Sequence, residues 1–118
     1  MRAVRGATCL SANDAEEMRE AVVELLRAML DRNAIAMDDL VSVLLTATPD
    51  LTCAFPAAYA RDMGMLDVPL ICAQEIDVDG ALPHVVRVMM HADIDTPRSQ
   101  IQHVYLRGAE ALRRDIAQ

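Results

Sequence analysis

No lysine occurs anywhere in this chain, and all eleven basic residues are arginine. Genome composition is the plain account of that bias. Any anion site here must nevertheless be built from guanidinium, which keeps its proton and grips carboxylates with two parallel hydrogen bonds. Tryptophan is also absent, and Phe55, Tyr59 and Tyr105 are the whole aromatic complement. The core must therefore be aliphatic and rich in methionine, which fits the eight methionines better than a partner-binding surface does. Cysteines are few, odd in number and widely spaced (Cys9, Cys53, Cys72), with no CxxC pair. That pattern excludes a disulfide framework and points to a reducing compartment. No apolar run approaches the ~20 residues of a membrane span, and the arginines in MRAVRGATCL rule out a signal peptide. A cytoplasmic protein is expected.

Net charge is −7, which argues against nucleic acid or an anionic membrane as a partner. The four glycines form no phosphate-binding loop. His84, His91 and His103 lack metal-ligand spacing, so neither metal nor cofactor is expected. Cys72 beside Glu75 lacks the cationic neighbour that would activate a thiol. With 118 residues, 53% of them hydrophobic, the chain forms one domain, 1–118. So small a core gains from oligomerisation, and a homo-oligomer is expected.

Apolar residues at helical spacing (Ala15, Met18, Val22, Leu25, Leu26, Met29) predict one long helix over Asp14 to Arg32. Asn13 is its predicted cap, with Glu16 completing a capping box, and Asn33 its left-handed stop. Strands are predicted at Met1 to Cys9, at LVSVLLTAT (Leu40 to Thr48, buried on both faces), at Val68 to Ile76, at His84 to Ile94 and at Ile101 to Leu106. Pro56 opens a short helix stopped by Gly64, and Gly108 to Ile116 forms a last helical turn or two. The order β-α-β-α-β-β-β-(α) reads as an α/β or α+β domain, a mixed sheet covered by one long helix.

Chemistry concentrates in LICAQEIDVDGALPHVVRVMMHA, Leu70 to Ala92. Glu75 and Arg87 stand there among apolar neighbours, and a buried charge is costly unless paired or turned to a ligand. The two are expected to line a pocket for a small anion, joined by Arg5 and Tyr105.

Six strings then agree in order with one family: RGAT at Arg5, LLTATPDL, FPA at Phe55, CAQEIDV at Cys72, RVMM at Arg87 and HVYL at His103. Together they resemble the small trimeric chorismate mutase class with a pseudo-α/β-barrel fold, distinct from the all-helical class. The resemblance implies a cofactor-free Claisen rearrangement of chorismate to prephenate, on the route to phenylalanine and tyrosine. It also implies a homotrimer with active sites between subunits. Arg87 then faces the ether oxygen, Arg5 binds a carboxylate and reaches toward the ring hydroxyl, Glu75 accepts from that hydroxyl, and Tyr105 donates to a carboxylate. Phe55 and Ala57 contribute a neighbouring subunit's wall, and Leu70, Ile71 and Cys72 line the pocket. Arg61, Leu112 and Arg113 form an outer rim. The chain departs from the family in having Ala58 where a lysine can stand, and in ending at Gln118 without a longer closing tail. Two rivals are a non-catalytic trimeric anion sensor on the same fold and an imine-hydrolysing enzyme on a related trimeric barrel.

Overall fold

The computed structural model describes residues 1–112. Five strands form one mixed sheet, and two helices pack on one face of it. The elements run β1 (Arg2–Cys9), α1 (Ala15–Arg32), β2 (Leu40–Ala47), α2 (Pro56–Asp62), β3 (Leu70–Gln74), β4 (Val85–Ala92) and β5 (Val104–Leu106). Their spatial order is β3-β2-β4-β1-β5. Strand β4 runs antiparallel to both β1 and β2, while β2–β3 and β1–β5 are parallel pairs.

The helical layer follows from the apolar stripe on α1. Met18, Val22, Leu25, Leu26 and Met29 are fully buried and join Val4, Val43, Leu45, Val88 and Met90 from the sheet in one core. Gly6 permits the closest approach. A Cβ there would sit 2.5 Å from Met29 Sδ and 3.1 Å from Leu25 Cδ1. A side chain at this position would therefore force the Met29 side chain to move.

Several local expectations shift by a residue or more. Asp14, not Asn13, caps α1, its carboxylate accepting from the Glu17 N–H at 2.8 Å. Glu17 rather than Glu16 reaches back, accepting from the Ser11 N–H at 2.7 Å, and that bond holds its carboxyl below the usual range. Asn13 is diverted to the following loop, where its side chain accepts from the Thr52 and Cys53 N–H groups. Asn33 does not adopt the left-handed conformation; Ala34 does, with φ of 52°. The Asn33 amide instead brackets Gln102, accepting from its N–H at 2.7 Å and donating to its carbonyl at 2.9 Å. With residue 102 held this way, pairing starts only at Val104 rather than at Ile101. Strands β3 and β4 are likewise shorter than expected, Leu70–Gln74 and Val85–Ala92.

Strand β2 is buried on one face, not two. Val43 and Leu45 enter the core, whereas Val41 and Leu44 are exposed. The physical reason is the architecture: both helices lie on one side of the sheet, and the described residues that pack on the other side, Leu82, Ala109 and Leu112 against Ala7, Val85 and Tyr105, leave Leu44 open. The helical turn expected to run on to Ile116 begins at residues 110–112, and its remainder lies outside the described residues.

Thr8, in the RGAT string, is fully buried, and its hydroxyl has no hydrogen-bond partner among the described residues. An unsatisfied buried hydroxyl costs about 1–3 kcal/mol. Thr8→Val keeps the shape and removes the polar atom. It is expected to raise the melting temperature by a few degrees in a thermal scan, and a fall would show that the hydroxyl is satisfied in solution.

Candidate active site

Strand register decides which side chains meet on the face away from the helices. Residues in register across a sheet project to the same side. One cross-strand row carries Ile71, Leu44, Met89 and Arg5, on β3, β2, β4 and β1. The next row carries Ala73, Thr46, Arg87, Ala7 and Tyr105. Alternation along β4 sends Val86 and Val88 to the helices and leaves Arg87 between Thr46 and Ala7. Apolar sequence neighbours therefore do not bury Arg87 in this chain, contrary to expectation. Its side chain is 39% exposed, and that of Glu75 24%.

Four predicted residues converge. Arg5, Glu75, Arg87 and Tyr105 line one depression, together with Gly6, Leu44, Thr46, Val88 and Met89. The Glu75 backbone is docked on β2 through its N–H, which donates to the Ala47 carbonyl at 2.9 Å. Its carboxylate accepts from the Thr46 hydroxyl through Oε2 and faces Arg87 Nη1 at 3.4 Å through Oε1. Arg5 is fixed at its backbone, whose N–H donates to His103 Nδ1 at 3.0 Å, and its guanidinium makes no hydrogen bond or ion pair to any described residue. Tyr105 is 8% exposed and packs against Ala7, Val85 and Ala109.

The depression therefore presents two guanidinium groups, one carboxylate and one phenol. It suits an anion that also carries a hydroxyl donor. Its open volume is about 160 Å³, short of the ~300–1,000 Å³ of pockets that enclose a small ligand.

The remaining predicted residues lie elsewhere in the single chain. Phe55 is 74% exposed and borders, with Cys72, a wider cleft of about 700 Å³ between the β2–α2 loop and β3. Leu70 and Ile71 border a shallow groove with Leu44. Ala57 is 5% exposed and joins the core of the single chain, on the inward side of α2. Arg61 is exposed on α2 and does not line the depression. Leu112 packs against the Tyr105 cluster, and Arg113 lies outside the described residues. Sequence reasoning missed Thr46, Leu44 and Met89. Strand parity was the available signal, since Leu44 and Thr46 share a face once Val43 and Leu45 are assigned to the core.

A family model described as chorismate mutase type I matches residues 1–116. A protein of Thermus thermophilus, chorismate mutase AroH, is 44% identical over 117 residues, covering 98% of this chain and 96% of its own. Its Bacillus subtilis namesake is 41% identical over 118 residues, covering 99% of this chain and 93% of its own. A solved structure of chorismate mutase from Clostridium thermocellum superposes with a TM-score of 0.92 at 44% identity, covering 94% of this chain and 99% of that one.

Proposed function

The chain belongs to the chorismate mutase type I family, and from that premise we propose which of its residues perform the reaction and in what assembly. The protein is an isomerase that converts chorismate to prephenate. The sensor and imine-hydrolysing alternatives find no support in relatives that are each named for the mutase.

The chemistry sets the demands. Chorismate is a dianion whose ether C–O bond breaks as a C–C bond forms, in one concerted step. No nucleophile and no proton transfer is needed. A catalyst must hold the compact reactive shape and stabilise the charge that grows on the ether oxygen. In the proposed arrangement Arg87 faces that oxygen, in contact that strengthens as the bond breaks. Arg5 and Tyr105 anchor carboxylate, and Glu75, ionised, accepts from the ring hydroxyl while steadying Arg87. The observation that carries this reading is the convergence of these four side chains, from β1, β4, β5 and the end of β3, on one depression.

The working assembly is a homotrimer with sites between subunits. Three features support it: a sheet face left open around the depression, apolar Ile71 at 63% exposure opposite exposed Leu44 on that face, and a depression too small to enclose its ligand. Phe55, Cys72, Leu70, Ile71, Arg61, Leu112 and Arg113 would then complete the wall and rim across the interface. No helix among the described residues is long and apolar enough to cross a membrane. Together with three free cysteines, that supports a cytoplasmic setting.

Incubation with chorismate should lower its absorbance as prephenate appears, at rates nearly flat across neutral pH and equal in heavy water. A bell-shaped profile with two mid-range pKa values and a solvent isotope effect would overturn the proposed roles. Sedimentation should give a mass near three times 12.9 kDa; a monomer active at the same rate would remove the interfacial site.

A further inference from the structure

Glu75 and Arg87 present a problem that their roles alone do not solve. A carboxylate and a guanidinium on one open face attract each other, and unrestrained they close into a two-pronged pair with N–O separations of about 2.7–2.9 Å. Such a pair would occupy the nitrogen atoms needed at the ether oxygen. The observed separation is longer, 3.4 Å, and involves one oxygen and one nitrogen. The other carboxylate oxygen is taken by Thr46.

We propose that Thr46 is a positioning residue for the rearrangement: its hydroxyl commits one oxygen of Glu75, so the carboxylate orients Arg87 without capturing it. The inference rests on the roles proposed above for Arg87 and Glu75. Register makes the geometry specific. Thr46 lies directly opposite Arg87 across β2 and β4, and opposite Ala73 on β3. The small Ala73 side chain leaves the space over the sheet to the Glu75 carboxylate, whose backbone is tied to Ala47 one residue beyond Thr46. As a β-branched residue in a strand, Thr46 has a restricted χ1, so its hydroxyl is a fixed donor. A serine could supply the same donor. Valine has the shape without it.

The test uses the whole protein. Thr46→Val is expected to lower kcat roughly tenfold or more, as loss of a hydrogen bond to a charged group does, with KM changed much less and the melting temperature held within a few degrees. Thr46→Ser should recover activity to within about threefold of the parent. The sharpest readout is a double-mutant cycle. In a Glu75→Ala background, Thr46→Val should cost almost nothing further, since the hydroxyl acts only through the carboxylate. Full activity in Thr46→Val, failure of serine to restore it, or independent losses in the cycle would each overturn the inference. Arg87→Ala, run alongside, separates the two levels. If it is inactive while Thr46→Val is fully active, only the positioning role falls; if Arg87→Ala is active, the proposed site falls and this inference with it.

Discussion

Arg87→Ala is expected to lower turnover by at least the ~10²–10³-fold typical of removing one preorganised donor from a developing oxyanion. The loss should fall on kcat. Charge on the ether oxygen is small in bound chorismate and large at the transition state, so the contact removed is one made mainly there. The protein itself should survive. Arg87 projects to the face away from the helices, its side chain is 39% exposed, and Glu75 keeps its hydrogen bond from Thr46 when the guanidinium is gone. Circular dichroism and sedimentation on the purified variant establish that survival independently of the assay. Arg87→Lys should recover only part of the rate, because an ammonium supplies charge without the planar fork that Glu75 and the ether oxygen would share. Near-parental turnover in a correctly assembled alanine variant would refute the role.

Arg5→Ala should produce the second largest loss, of a different kind. Its guanidinium is already without a protein partner among the described residues, so it stands ready for the substrate rather than for the fold. A hydrogen bond to a charged group contributes about 1.5–3 kcal/mol, and kcat/KM is therefore expected to fall by roughly 10- to 150-fold. Much of that loss should be in KM, since a carboxylate is as charged before the rearrangement as during it. High salt should weaken binding in the parent enzyme for the same reason, and less steeply once Arg5 is removed. An Arg5→Ala enzyme with parental KM and parental kcat/KM would show that this arginine does not reach the substrate.

Elements whose instructions are local were legible in the sequence. The α1 stripe from Met18 to Met29 needs only 3.6-residue periodicity, and the strands around Leu44 and Arg87 need only β-branched runs between turn residues. Caps were misplaced because Asn13 and Asp14 are equally good acceptors on paper. The loop at Thr52 and Cys53, distant in sequence, claims Asn13 and leaves Asp14 for the helix. Burial of β2 was over-read for a related reason. A run such as LVSVLL says that apolar residues point to both faces, but not which face the chain's own helices will cover. At the site, charged residues in apolar company advertised themselves, whereas Thr46 looked like an ordinary strand former. Its significance appears only when the β2–β4 register sets it opposite Arg87 and the end of β3 brings Glu75 above it.

Arg87 rides on the central strand, which is paired on both edges along nearly its whole length, whereas Glu75 sits just past the tip of the strand at the sheet's border. Thermal breathing of a sheet starts at its borders. The cation is thus bolted to the least yielding rail in the molecule, and whatever give the site retains for admitting and releasing ligand must come from the glutamate's side.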